Sequence, residues 1–248
     1  MTHLSLFSGI GGIDLAAHWA GFETVQFVER DQFCQKVLAK NFPGVPIHDD
    51  VTTFDGNRCR GVDLVSAGFP CQPHSLAGKR LASGDERDLW GEVVRILGEA
   101  KPRWFLGENV PGLLTSESGR FFGRVVDDLA ALGFSVGWCV YGACDIGAAH
   151  ERERVFVLAY SNNKPGLQAD TTVSTLGKGW KPWDDACRRD WGHIRNREWG
   201  GLSVKPAILG TPDGISKGLD EPRLKALGNA VVPAQAYPIL KAIAEASQ

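Results

Sequence analysis

His3-Leu4-Ser5-Leu6-Phe7 runs directly into Ser8-Gly9-Ile10-Gly11-Gly12 near the start of the chain. A short apolar run that empties into glycines reads as a β-strand ending in a tight turn. From Ile13 to Ala20 the apolar spacing is helical and stops at Gly21, so the opening is strand, turn, helix. The alternation continues. Thr24–Glu29 reads as a second strand, and Asp31 as the N-cap of a helix carrying Phe33, Val37 and Leu38 that ends before Pro43. Val62–Ser66 is a continuous apolar strand, followed by a helix over Leu89–Leu97 and a strand over Trp104–Leu106. An amphipathic helix over Phe121–Leu132 ends at Gly133, and Val136–Tyr141 and Arg154–Ala159 close the series as strands. Strands separated by helices of this length predict βαβ units. The expected fold class is therefore α/β, doubly wound around a mainly parallel sheet. Ligands of such sheets bind at the carboxyl ends of the strands, so the residues just after each strand carry the functional information.

The alternation stops near residue 160. Ser161 to about Pro222 is rich in Gly, Pro, Trp and charge and reads as a small irregular lobe. Leu224–Ala246 returns to helical spacing through Val231, Leu240 and Ile243, with Pro233 and Pro238 limiting its regularity. The expected organisation is a catalytic and cofactor-binding domain over 1–160, the lobe over 161–222, and a C-terminal segment over 223–248 that returns to the first domain. With 43% hydrophobic residues among 248, the chain has apolar side chains enough for a full core. No apolar run approaches the roughly 18 residues needed to span a bilayer, and Met1-Thr2-His3-Leu4 lacks the layout of a signal peptide. A cytoplasmic protein without membrane contact is the expectation. Six cysteines include no Cys-x-x-Cys pair, and no histidine cluster completes a zinc pattern, so no metal is expected. The net charge of −2 excludes a uniformly basic nucleic-acid binder; any such surface is local.

Three strand ends suggest an adenosine-containing cofactor. Phe7–Gly12 supplies a glycine loop, in which Gly9, Gly11 and Gly12 let the backbone turn and approach a ligand closely. It is not a full G-x-G-x-x-G fingerprint, and a plain tight turn is the competing account. Glu29 ends the second strand, where a carboxylate accepts from ribose hydroxyls. Asp50, beside Val51 after a third apolar stretch, is suited to accept from an adenine amino group. The absence of a Walker Lys-Ser/Thr argues against nucleoside triphosphate hydrolysis. The Val62–Ser66 strand leads into Ala67-Gly68-Phe69-Pro70-Cys71-Gln72-Pro73, which puts Cys71 at the binding edge in a loop stiffened by two prolines. Most lone cysteines are inert buried thiols; a nucleophilic one needs a stabilised thiolate. The next strand ends in Gly107-Glu108-Asn109-Val110, and parallel neighbours would bring Glu108 beside Cys71 as a general acid, against the alternative of a solvated loop carboxylate. Glu151-Arg152-Glu153-Arg154 opens a further strand, and alternation puts Arg152 and Arg154 on one face, aimed at the same cleft or merely paired at the surface.

These residues, in this order, resemble the DNA cytosine-5 methyltransferases of compact bacterial and phage type. The resemblance runs through Leu6–Gly12, Val28-Glu29, Asn41-Phe42-Pro43, His48–Val51 and Gly68–Pro73. It continues through Ala77–Arg80, Asp85-Glu86-Arg87, Glu108–Gly112, Arg152-Glu153-Arg154 and Leu227–Pro233, covering most of 1–160 and 223–248. It implies S-adenosyl-L-methionine as cofactor, held by Phe7, Gly9, Gly11, Gly12, Glu29, Asp50, Val51 and Asn229. It implies double-stranded DNA as partner, with the target cytosine flipped out of the duplex. Cys71 would add to cytosine C6, Glu108 would protonate N3, and Arg154 with Arg152 would contact the cytosine carbonyl oxygen and the strand near the nucleophile. Pro70, Gln72 and Ser75 would lie against the DNA. The chain departs from the family pattern at His74, usually Phe, and at His150, usually Gln.

The motif order makes the middle lobe the target-recognition region. Between Lys178 and Lys205 stand seven basic residues against four acidic, and four of the chain's eight tryptophans. Arg188, Arg195 and Arg197 suit phosphates and guanine edges, while the tryptophans suit a small core of the lobe's own. An RNA methyltransferase with the same core and a catalytically silent DNA-binding protein are the rival readings. The intact Cys71, Glu108, Arg152 and Arg154 weigh against the second. A nicotinamide dehydrogenase fails because Pro70-Cys71-Gln72 would be idle. A monomer is expected, with a restriction endonuclease partner left open.

Overall fold

The computed structural model describes residues 1–70, 89–148, 150–162 and 217–247. Seven strands form one sheet: β1 (Thr2–Leu6), β2 (Glu23–Val28), β3 (Ile47–His48), β4 (Leu64–Ala67), β5 (Trp104–Asn109), β6 (Phe134–Tyr141) and β7 (Arg154–Ser161). Their spatial order is β3-β2-β1-β4-β5-β7-β6. β1 to β5 pair in parallel, and β7 runs antiparallel to both β5 and β6. The sheet is thus mainly parallel, as the sequence predicted, with the one reversed strand β7 making it mixed. The chain reverses direction around β1, with β2 and β3 on one side and β4 and β5 on the other. The loops after β1 and β4 therefore flank the switch point at which open α/β sheets bind ligands.

Helices cover both faces. α1 (Gly12–Trp19) and α7 (Pro233–Ala246) lie on one face. There Ile13, Ala16 and Ala17 pack with Ile239, Leu240 and Ile243 over Leu64, Trp104 and Leu106. On the other face are α3 (Trp90–Ala100), the single turn α4 (Gly112–Thr115) and α5 (Arg120–Ala131), which bury Val93, Ile96, Val125 and Leu129 against Leu4, Val65 and Phe105. α2 (Gln32–Asn41) starts as the sequence predicted: the Asp31 carboxylate accepts from the backbone N–H groups of Phe33 and Cys34. α6 (Lys217–Asn229) and α7 replace the single irregular helix expected at the end. Pro233 does not disturb α7, because it sits in the first turn, where its missing N–H has no helical acceptor. Pro238 is carried by a helix whose Ile239, Leu240 and Ile243 are buried.

Close packing fixes Gly12. A β-carbon there would collide with the Val231 carbonyl oxygen, so the connection between α6 and α7 rests directly on the start of α1.

Beneath the glycine loop lies a buried polar cluster that sequence reading missed. His3 bonds Thr24 Oγ1 at 2.9 Å and Ser66 Oγ at 2.7 Å, bridging β1 to both neighbours. The Asp14 carboxylate of α1 lies 3.7 Å from the same ring, both side chains fully buried. Burial lowers the His3 pKa to about 3 and raises that of Asp14 to about 7, so the pair is neutral rather than ionic at moderately acid pH. Asp14 ordinarily titrates near 3.8, and its raised folded value means that stability held below that pH is lost as the pH rises through about 7. His3 acts in the opposite sense, losing stability as the pH falls from 6.5 toward 3. Asp14→Asn removes only the first effect. Its stability relative to wild type is expected to rise between pH 4 and 7, by up to about 1.4 kcal/mol per pH unit. Urea unfolding at several pH values measures this; a difference that does not change with pH would show that Asp14 is not buried as a neutral acid.

Candidate active site and cofactor cleft

The parallel strands β1, β2, β3, β4 and β5 all end at one edge, and the reversed β7 begins there. On the β1 side, the glycine loop departs from ordinary backbone: Phe7 (φ 52°), Gly9 (φ 55°) and Gly11 (φ 86°) are left-handed. For Phe7 this costs on the order of 1–3 kcal/mol. A β-carbon on Gly11 would meet Phe42 Cε2 at 2.7 Å, so α2 closes against the loop. At Gly9 nothing among the described residues lies within 4 Å of such a carbon, so the loop is open there.

Glu29 follows β2 and stands beside that space. Its Oε2 accepts from Gly9 N and its Oε1 from Asp31 N, both at 2.7 Å. The carboxylate ties the glycine loop to the start of α2, and each oxygen keeps a second lone pair. Asp50, two residues beyond β3, forms a tight turn: its Oδ1 accepts from Thr52 N at 2.9 Å and Thr52 Oγ1 at 2.7 Å, which holds its pKa below the usual range. Val51 beside it is buried. From the opposite side, Lys225 of α6 reaches Asp31 at 3.6 Å. Asn229, at the end of the same helix, is exposed.

On the β4–β5 side, the sequence predicted that Glu108 follows its strand. In fact β5 runs on to Asn109, because six residues from Trp104 pair without a break with β7, and Glu108 is only 6% exposed. It lies on the same face as Trp104 and Leu106, two residues apart along the pleat. Ala67 pairs with Gly107, so Gly68 comes beside Glu108. A β-carbon on Gly68 would stand 3.5 Å from Glu108 Oε2 and 3.6 Å from the Phe7 carbonyl oxygen. One glycine thus touches both the acid and the glycine loop.

Arg154 Nε pairs with Glu108 Oε1 at 2.8 Å. Burial raises the Glu108 pKa to about 7, and this outweighs the downward pull of Arg154 and Arg152. Near neutral pH the group therefore populates both the proton-donating and the ionised form. On its other side, Asn109 donates from Nδ2 to the Phe69 carbonyl at 2.9 Å, and Phe69 packs against Trp90 with ring centroids 4.9 Å apart and the rings tilted by 53°. These contacts fix the chain as it leaves β4 through the half-buried Pro70. Asn109 was not singled out from sequence; a buried amide following a strand-end acid was the available signal.

The two arginines are held differently, although the charges of both act on Glu108. Alternation does not apply to Arg152, which precedes β7 and has a left-handed backbone (φ 37°). Its guanidinium turns to the end of α6 and donates to the carbonyls of Leu227, Gly228 (2.8 Å) and Ala230. Gln235 answers by donating to the Arg152 carbonyl at 3.0 Å. Cys71, Gln72, His74, Ser75, Arg188, Arg195 and Arg197 lie outside the described residues. His150 is exposed.

A doubly wound sheet with an open glycine loop, an acidic residue after the second strand and a buried protonatable acid beyond the switch point defines an α/β protein with these groups gathered at one sheet edge. The chain belongs to the C-5 cytosine-specific DNA methylase family, whose model matches residues 1–178. It is 39% identical over 163 residues to the Type II methyltransferase M.NgoBI of Neisseria gonorrhoeae, a match covering 65% of this chain and 51% of that protein. It is 35% identical over 208 residues to M.AquIA of a Picosynechococcus species, covering 73% of this chain and 84% of the relative. Among solved structures it is similar to a DNMT2 variant from Spodoptera frugiperda, with TM-score 0.55, 26% identity, and coverage of 66% of this chain and 51% of that one. The chain spans 51% of the length of M.NgoBI, 39% of M.BsuFI of Bacillus subtilis and 59% of M.NgoMIV of Neisseria gonorrhoeae, about half the length of these relatives. Among the described residues no helix is long and apolar enough to cross a membrane.

Proposed function

We propose that the chain transfers a methyl group from S-adenosyl-L-methionine to C5 of cytosine in a specific double-stranded DNA sequence. The observation that carries this reading is the buried Glu108, with a pKa of about 7, paired to Arg154 and adjoining both Gly68, three residues before Cys71, and the glycine loop.

The cofactor cleft fits an adenosine-bearing group. There is open space over Gly9, and Glu29 has lone pairs left for ribose hydroxyls. Asp50 is offered to the adenine amino group, Val51 packs beneath it, and Asn229 with Phe7, Gly11 and Gly12 completes the wall. When bound, S-adenosylmethionine supplies an electrophilic methyl on its sulfonium. The chain's own residues do the rest. The Cys71 thiolate adds to C6 of a flipped cytosine, while Glu108 donates a proton to N3, so that electron density moves to C5. C5 takes the methyl group. Loss of the C5 proton to water, return of the N3 proton to the Glu108 carboxylate and departure of Cys71 restore the aromatic ring and the thiolate, with S-adenosylhomocysteine left from the cofactor. Arg154 keeps Glu108 oriented and is close enough to its carboxyl to meet the cytosine carbonyl oxygen. Arg152, bound to the end of α6, acts from the cofactor side. Pro70, Gln72 and Ser75 contact the DNA near the nucleophile, and Arg188, Arg195 and Arg197 contact it from the recognition lobe. The protein works as a cytoplasmic monomer.

The test is methyl transfer from labelled S-adenosylmethionine to mixed-sequence duplex DNA, with matched RNA in parallel and nucleoside analysis of the product. Labelled 5-methyldeoxycytidine is expected. Label confined to RNA would transfer the reading to an RNA methyltransferase, and label in adenine would refute the cysteine chemistry.

A further inference from the structure

The stretch between β3 and β4 carries Asp50 and Val51 but has little regular structure of its own, only a 3-10 turn at Gly56–Cys59. Its backbone is held from outside, by α3. Arg95 donates from Nη2 to the Val51 carbonyl at 3.0 Å and from Nη1 to the Phe54 carbonyl at 2.9 Å. The guanidinium is itself fixed by two carboxylates of the same helix, Glu92 at 2.7 Å and Glu99 at 2.8 Å. Glu99 Oε2 also accepts from Gly56 N at 2.8 Å. The approach is close: a β-carbon on Gly56 would lie 2.9 Å from that oxygen and 3.1 Å from the Ile96 carbonyl. One fork and one carboxylate therefore satisfy three backbone groups in six residues.

We propose that Arg95 is a positioning residue for the cofactor's adenine ring, fixing the Asp50–Val51 turn through the Val51 and Phe54 carbonyls. This rests on the cofactor reading above. Arg95 makes its contacts with main-chain carbonyls behind the turn. Asp50 spends Oδ1 on Thr52, so the direction of its carboxylate is set by the turn, and the turn by Arg95. A planar fork spans two carbonyls; an ammonium is a point donor and holds one.

Calorimetric titration with S-adenosylmethionine and with its inosine analogue, which lacks the exocyclic amino group, tests this together with steady-state kinetics. Wild type is expected to favour the adenine form by about tenfold. Arg95→Met is expected to weaken S-adenosylmethionine binding by about tenfold and raise its KM in step. The preference over the inosine analogue collapses toward unity, while kcat at saturating cofactor and KM for DNA stay within about twofold. Arg95→Lys falls between, with part of the preference restored. Unchanged cofactor affinity in Arg95→Met, or equal loss for both analogues with a matching fall in kcat, would overturn the proposal and leave Arg95 a purely structural residue. Wild-type protein that binds neither analogue would overturn the cofactor reading itself, so the wild-type titration separates the two failures.

Discussion

Cys71→Ala is expected to lower methyl transfer by on the order of 10⁴-fold or more, with S-adenosylmethionine binding within about twofold of wild type. Cytosine C5 is a poor nucleophile within the aromatic ring. It becomes enamine-like only when C6 is saturated, and alanine has no nucleophile to make that addition. The proposed cofactor wall draws on the ends of β1, β2, β3 and α6, whereas Cys71 follows β4 and Pro70 in the chain, so its removal is expected to leave the wall intact. Methyl transfer by single-turnover kinetics and cofactor binding by calorimetry check the two halves. A variant that retains more than about a tenth of wild-type activity would exclude the covalent route.

Glu108→Gln carries the second large effect, a fall in kcat of about 10²- to 10⁴-fold, the usual range for loss of a general acid. The amide keeps the shape and a hydrogen bond but has no acidic proton to give to N3. The pH profile supplies the sign. Donation requires the protonated carboxyl, and with a pKa near 7 that form is lost as the pH rises. The wild-type rate is therefore expected to fall above about pH 7 through the Glu108 limb, and that limb is absent from Glu108→Gln. A wild-type rate flat from pH 6.5 to 8.5 would show that Glu108 does not act as the acid. Arg154→Lys is informative beside it, since a single ammonium replaces the guanidinium that now meets Glu108 at 2.8 Å.

Much of this was legible in the sequence, because local rules and the global fold agree there. The glycines after β1, the Asp31 cap and the order of strands and helices each follow from spacing and residue type alone. Other features depend on who lies next to whom. The strand order that reverses β7 cannot be read from the run Arg154–Ala159, since periodicity does not encode direction. Glu108 looked like a loop residue because a carboxylate ends an apolar pattern; pairing with β7 buries it, and burial is what raises its pKa. Arg152 escaped the alternation argument through one left-handed backbone angle. His3 and Asp14 looked like ordinary residues of a strand and a helix until the fold faced them toward each other. Arg95 was not singled out from the sequence, since its carbonyl contacts across the β3–β4 stretch exist only once the helix packs there.

The most direct test of the central claim uses duplex DNA in which the target cytosines are replaced by 5-fluorocytosine. After methyl transfer, C5 holds fluorine where it must lose a proton, so elimination stops and the cysteine stays bonded to C6. Incubation with S-adenosylmethionine, denaturing electrophoresis and peptide mass spectrometry then read the product. A denaturation-stable protein–DNA complex, dependent on the cofactor, with the modified base on Cys71, is the expected result. Methylation of ordinary DNA with no such complex, or an adduct on any other residue, would contradict the account.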